Sequence, residues 1–177
     1  MPDLSRRRRR AATLAVLTLA ALACQPSDRE RPASPTEPRA LLGLPIHLLS
    51  CPTSEDLAVT GLVSPDSGGT LQIRKWKLQV PPHAVSEPTQ ITMHVPPGDA
   101  VQVQFSANGA DHLQFRLPVT VTASYERCLL PPLGLLVAWY WDPTTGALLQ
   151  PMPSRTNLLA ETVTFWTDHF SGFVIAN

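Results

Sequence analysis

The amino-acid sequence predicts an all-β fold, and three observations carry that prediction. In residues 113–125, apolar or aromatic side chains occupy every odd position, the period of two that is typical of a half-buried strand. The same period recurs in residues 90–95 and 101–105. Turns rich in proline and glycine separate these runs, and Pro45 cuts short the best helical stretch after residue 24. Many short strands with such turns are typical of a single β-sandwich.

The C-terminal part of the sequence continues the strand pattern. Residues 133–141 are almost continuously apolar, which predicts a strand covered on both faces. Residues 142–146 read Asp-Pro-Thr-Thr-Gly and predict a hairpin loop. Further strands are predicted at about residues 158–167 and 170–176. Because proline cannot donate to a strand ladder, we expect a bulge or a sheet edge at Pro118.

Three zones precede the predicted domain. Residues 6–10 are all arginine, residues 11–23 form an uncharged and mostly apolar run, and the small Ala23 precedes Cys24. This is the layout of a secretory signal peptide, predicted here for residues 1–23. The alternative is a short membrane anchor that stays attached, but the apolar run is shorter than the roughly 20 residues needed to span a bilayer.

The end of this segment resembles the lipobox of bacterial lipoproteins. The residues concerned are Ala21, Leu22, Ala23 and Cys24, and Ala21 departs from the leucine that is commonest there. The resemblance implies lipidation of Cys24, cleavage just before it, and a cell-envelope protein held on a membrane by its N-terminal lipid. Gln25 implies sorting to the outer membrane rather than the inner one, while the route of export, general or twin-arginine, stays open.

Residues 24–48 are predicted to be a flexible tether, and residues 49–177 the folded domain. The tether is rich in proline, serine and charge and has no apolar period, so it cannot bury enough surface to offset its ordering entropy. Without residues 1–23 the chain keeps nine of its 14 basic and 13 of its 14 acidic residues, a net charge of −4. An acidic chain without a basic stripe argues against nucleic acid as a partner.

Two cysteines, Cys51 and Cys128, remain once Cys24 is acylated. An even number in an oxidising compartment favours one disulfide, and the alternative is two separate thiols. Neither cysteine has a CxxC or HxxxH neighbour, so the sequence predicts no metal site, and no cofactor is expected.

Three stretches of the predicted domain are similar to the ZU-five domain, an interaction module of scaffold and receptor proteins. They are residues 68–97 (GGTLQIRKWKLQVPPHAVSEPTQITMHVPP), residues 115–125 (FRLPVTVTASY) and residues 136–171, which carry a Trp-rich strand and a closing Thr-Asp-His-Phe-Ser. The resemblance covers residues 61–177 and implies a β-sandwich without a common substrate pocket. It therefore implies a non-enzymatic interaction or structural module, whose partner would be an envelope protein or polymer.

One short motif, Asp168-His169-Phe170-Ser171, places acid, base and nucleophile types side by side. A conventional catalytic triad is not expected, because neighbours on a strand point to opposite faces and Asp168 would not orient His169. Some ZU-five proteins cleave themselves between Phe and Ser of a His-Phe-Ser sequence. The resemblance therefore implies, as an alternative function, a single attack by Ser171 assisted by His169 on the same face. The structural alternative is a strand end and a turn helped by Gly172.

Other candidate side chains have simpler interpretations. Four histidines are scattered without metal-ligand spacing and are expected at the surface or in turns: His47, His83, His94 and His112. Trp139, Trp141 and Trp166 would form a carbohydrate-stacking platform if they shared an exposed face, whereas packing in the core is the commoner role of such residues.

Overall fold

The computed structural model describes residues 46–129 and 135–177, so the predicted signal peptide, Cys24 and most of the predicted tether lie outside the described residues. Those residues form 13 strands and no helix, and thus contain no helix able to cross a membrane. In chain order, the strands are β1 (Ser50–Thr53), β2 (Leu57–Val63), β3 (Gly69–Ile73), β4 (Trp76–Val80), β5 (Thr89–Val95), β6 (Gly98–Ala100), β7 (Gln102–Ala107), β8 (Gln114–Ser124), β9 (Val137–Trp141), β10 (Leu148–Pro151), β11 (Ser154–Asn157), β12 (Thr162–His169) and β13 (Gly172–Ala176).

The strands form a β-sandwich, which confirms the predicted fold class. One sheet has six strands in the order β10-β9-β13-β7-β5-β2, and the other has five in the order β11-β12-β8-β4-β3. The remaining two strands pair with each other in a ribbon, β1-β6, and all the strand pairs are antiparallel. Apolar side chains from the inner faces of the two large sheets interdigitate in one continuous core.

β8 follows the predicted alternation except at Pro118. Val119 pairs with Thr167 of β12, whereas the next paired residue is Gln114, opposite His169, so β8 carries extra residues in a bulge. The bulge expected at Pro118 is therefore present. It also corrects one detail of the prediction, because Leu117 lies within the bulge and is exposed instead of facing the core.

β9 and β13 are covered on both faces. The inner side chains of β9 join the main core, while Trp139 and Trp141 belong to a second apolar cluster on the outer face of the six-stranded sheet. Ile46 is buried in this outer cluster, and Leu48 pairs with Ala176. The packed part of the chain thus includes residues 46–48, ahead of the predicted domain boundary at 49.

Two local predictions are wrong, for identifiable reasons. Residues 158–161 form a hairpin turn between β11 and β12 instead of strand, because the side chain of Asn157 accepts bonds from the amides of Leu159 and Ala160 and so closes the loop. The period of two in residues 101–105 places Gln102 on the solvent face, but Gln102 is buried. It pairs with Val174 on the outer face of the six-stranded sheet, where the start of the described chain lies.

The sandwich has two distinct ends, set by the reversal between β12 and β13. β12 runs from Thr162 to His169, the chain turns at residues 170–171, and β13 returns to Ala176. Because Leu48 pairs with Ala176, the start of the described chain lies beside the end of β13; we call this the Ile46 end and the opposite one the Ser171 end. At about 3.4 Å per residue, the eight residues of β12 separate the two ends by roughly 24 Å.

Candidate functional site

The turn that carries Ser171 is anchored by the side chain of Phe170. This ring is fully buried, stacks on Phe105 at 5.0 Å between ring centroids, and meets the ring of Phe115 edge-on at 4.6 Å. The Phe170 amide donates to the carbonyl of Leu113 (2.9 Å), and the carbonyl of Ser171 accepts from the Phe105 amide (3.1 Å). The Phe170–Ser171 peptide is therefore held between the two sheets by aromatic packing and by backbone hydrogen bonds on both sides.

Asp168 and His169 are in contact, which corrects the expectation that alternating strand faces would keep them apart. Asp168 Oδ1 lies 2.9 Å from His169 Nδ1. The alternation fails here because β12 is ending: its register with β8 shifts after Thr167, and the Thr167 hydroxyl bonds the carbonyl of His169 at 2.8 Å. The hydrogen bond from His169 lowers the pKa of Asp168, so the carboxylate stays ionised at neutral pH.

Ser171 and His169, the predicted nucleophile and base, are not joined by a hydrogen bond in the described part of the chain. The His169 ring, whose side chain is 36% exposed, packs against the rings of Tyr140 and Phe173, with centroids 5.4 and 6.4 Å away. Gly172 does not take a positive φ, so it does not provide the unusual turn considered from sequence. It is needed for space instead, since a Cβ there would lie 2.8 Å from Trp141 Nε1.

Ser171 lines a cleft of about 410 Å³ at the Ser171 end. The walls come from β7, the segment before β8, the end of β9, the β9–β10 loop and β10. Its polar and aromatic lining includes Ser171, Tyr140, Asp111, His112, Asp142 and Gln104. The cleft brings together two carboxylates, an imidazole, a phenol and a hydroxyl, a set suited to binding a polar ligand by hydrogen bonds.

Asp142 holds one wall of the cleft in place. Its two carboxylate oxygens accept from the Thr144 amide and the Thr145 hydroxyl, each at 2.8 Å. The backbone bond to Thr144, followed by the side-chain bond to Thr145, lowers the pKa of Asp142. Gly146 closes the turn with a φ of 71°. The hairpin loop expected at residues 142–146 thus joins β9 to β10, and its aspartate keeps a negative charge at the cleft.

The Cys51–Cys128 disulfide is present, as the sequence predicts. It joins β1 to the segment after β8, and the Lys75 ammonium lies 3.0 Å from Cys51 Sγ and 3.3 Å from Cys128 Sγ. Lys75 also donates to the carbonyl of Glu126. The bond borders a separate cavity of about 280 Å³, which is lined in part by Lys75, Trp76 and Arg127.

The remaining candidate residues do not form a common site. Trp139 and Trp141 are buried, whereas Trp166 is exposed on the other sheet, so the three indoles make no shared stacking platform. His94 Nε2 contacts Asp56 Oδ1 at 2.6 Å and His94 Nδ1 lies 3.4 Å from Oε1 of Gln104, but His94 itself does not line the cleft. Within residues 46–129 and 135–177, no three His, Cys, Asp or Glu side chains come together as a metal-binding group.

Comparison with known proteins adds no assignment. No protein-family model matches the chain, and no curated protein matches it. The likeness of its motifs to the ZU-five domain thus stays a prediction from the sequence.

The sequence singles out Ser171 but gives no sign of most of the cleft around it. Tyr140, Asp111 and Leu149 line the same space, and none of them follows a recognisable motif. The available signal was positional, because Asp111 follows the tight turn at Asn108 and Gly109, and Asp142 follows β9 directly. Turn positions show that these residues lie at strand ends, but only the sheet order shows that they lie at the same end.

Proposed function

We propose that this protein is a lipid-anchored component of the cell envelope whose β-sandwich serves as a non-enzymatic interaction module. The lipobox-like sequence ending at Cys24 supports the anchor. The Cys51–Cys128 disulfide supports export, since such bonds persist mainly in oxidising compartments. The partner is an envelope protein or polymer that presents polar groups to the cleft.

The observation that carries the proposal is the placement of the cleft relative to the start of the described chain. Leu48 pairs with Ala176 at the Ile46 end, whereas Ser171 and the cleft lie at the opposite end of β13. A chain anchored through Cys24 would reach the sandwich at the Ile46 end. The cleft would then point away from the membrane, where a partner can approach it.

The anchor is tested by Cys24→Ser in the full chain. We expect the variant to leave the membrane fraction, because the two or three acyl chains that one lipidated cysteine carries suffice for stable anchoring. The double variant Cys51→Ala/Cys128→Ala is the matched control and should stay on the membrane. If Cys24→Ser remains fully membrane-bound, another anchor holds the protein.

The role of the cleft is tested by photo-crosslinking in intact envelopes. A crosslinker at Leu149, which is 51% exposed and lines the cleft, should capture a partner. A crosslinker at Leu62, 72% exposed on the edge strand β2 at the other side of the sheet, is the control. Identical products from both positions would mean that the cleft has no special role in binding.

Self-cleavage at Phe170–Ser171 receives no support from a particular observation. The attack needs a base within reach of the hydroxyl and a distorted peptide. Denaturing mass spectrometry of the full chain and of Ser171→Ala distinguishes the two functions. Denaturing conditions are needed because the freed strand would stay docked in the native state. We expect a single uncut species in both samples.

A further inference from the structure

Exposed leucines gather at the Ile46 end. Of the eight large apolar side chains that are exposed in residues 46–129 and 135–177, four lie there: Leu129, Leu135, Leu158 and Leu159. Leu158 and Leu159 sit at the tip of the β11–β12 hairpin and are 73% and 100% exposed. Leu129 donates its amide to Ser50, two residues after the Leu48 pairing, which places it at the same end.

Part of the backbone of the hairpin tip is already hydrogen-bonded within the protein. The amides of Leu159 and Ala160 both donate to Asn157 Oδ1 at 3.1 Å. The carbonyl of Glu161 accepts from the Tyr125 amide (2.8 Å), and the Tyr125 hydroxyl donates to the carbonyl of Asn157 (3.3 Å). Unbonded amides are costly to move out of water, and the bonds to Asn157 remove that cost for the amides of Leu159 and Ala160.

We propose that Leu158 and Leu159 insert into the surface of the same bilayer that holds the lipid on Cys24. This inference rests on the proposed function, because it needs the chain to be anchored at Cys24. The 22 residues from Cys24 to Ile46 would span roughly 26 Å as a flexible chain, which keeps the hairpin tip within reach of the lipid. Because the lipid on Cys24 would keep the hairpin tip close to the bilayer, the effective concentration of the tip at the bilayer surface would be high.

The shape and charge of the tip favour lipid over a protein partner. Two leucines on a protruding turn offer far less than the roughly 1,000 Å² that a stable protein interface buries. Both signs of charge flank them, since Glu161 and Glu126 lie at this end together with Lys75 and Arg127. The contact is therefore apolar insertion, not attraction to an anionic surface.

The test places an environment-sensitive fluorophore on Leu159→Cys in the mature lipidated protein. This cysteine is the single reactive thiol, because Cys24 is acylated and Cys51 is bonded to Cys128. The protein is reconstituted on vesicles of phosphatidylethanolamine and phosphatidylglycerol, some carrying a nitroxide quencher on the acyl chains. Thr144→Cys, in the exposed β9–β10 loop at the Ser171 end, is the matched control.

We expect blue-shifted emission at residue 159 and quenching by the lipid-borne nitroxide several times stronger than at residue 144. A label on Ala160→Cys should lose this quenching when Leu158 and Leu159 are both changed to serine, while the melting temperature stays the same.

The inference is overturned, and the anchor stands, if the protein floats with the vesicles but the label at residue 159 is quenched by a water-soluble quencher and not by the lipid-borne nitroxide. A blue shift without lipid quenching that grows with protein density would assign the tip to a second protein molecule and equally overturn it. If Cys24→Ser floats and residue 159 is still quenched by lipid, the leucines bind the bilayer and the lipid anchor is the part that fails.

Discussion

We expect the double variant Cys51→Ala/Cys128→Ala to form the same sandwich with a much lower free energy of unfolding. The disulfide joins residues 77 apart in sequence, and both cysteines pack against the main core. A cross-link across so long a loop removes many conformations from the unfolded chain, and its loss returns them.

The size of the effect follows from the length of the loop. The chain-entropy model gives about 4.5 kcal/mol at 25 °C for a loop of 77 residues, whereas measured disulfides typically contribute about 2–4 kcal/mol. For a domain of this size, each kcal/mol shifts the melting temperature by about 4 °C, so we expect a decrease of roughly 8–16 °C.

Urea denaturation of the purified protein separates this mechanism from a loss of native packing. If the bond acts on the unfolded chain, its removal exposes more surface on unfolding and the denaturant m-value rises together with the fall in stability. The native protein in reducing agent is the control and should match the double variant. A variant as stable as the native protein, or two reactive thiols in protein taken from its native compartment, would refute the reasoning.

Two further changes probe the Ser171 turn. Gly172→Ala brings a methyl group to 2.8 Å from Trp141 Nε1. We expect this overpacking to lower the free energy of unfolding, measured by urea denaturation, by about 1–3 kcal/mol. An unchanged free energy of unfolding would mean that the Trp141 indole moves aside without strain. Asp168→Asn removes a carboxylate whose folded-state pKa is lowered by His169, so its stabilising effect is complete above the unfolded-state value of about 3.9 and is lost as pH falls through the folded-state pKa. The free energies of unfolding of the native protein and of Asp168→Asn should therefore differ at neutral pH and converge in acid. A difference that stays constant from neutral to acid pH would contradict a stabilising role for the ionised Asp168 carboxylate.

Side-chain periodicity predicted those strands in which one face is buried and the backbone is regular. β5 and most of β8 alternate as expected, because every second side chain packs in the core. The pattern failed at Leu117 and at residues 158–161, where a bulge and a turn cap interrupt the two-residue period. The leucines in the turn at residues 158–161 are apolar like those of a strand. The hydrogen bonds by which Asn157 closes this turn depend on backbone geometry, which the spacing of apolar residues does not reveal.

The candidate site was less predictable than the fold. His169 and Ser171 stand out because they are adjacent to Phe170 in sequence, yet the structure places Ser171 in the cleft and packs the His169 ring against Tyr140 and Phe173. The cleft draws residues from five separate stretches between Gln104 and Gly172. Their meeting depends on the order of strands in the sheets, which local pattern does not determine.

The position of β13 has a consequence for the order in which the protein can acquire its structure. It follows all the other described strands in the chain, yet it lies between β9 and β7 in the six-stranded sheet, and all five of its residues are buried. Until β13 emerges from the ribosome, β10-β9 and β7-β5-β2 are two fragments with open edges and an incomplete core between them. Pairings between such distant parts of a chain form slowly. The sandwich of a nascent chain should therefore stay incomplete until β13 has been made, and an incompletely folded polypeptide can still be threaded across a membrane.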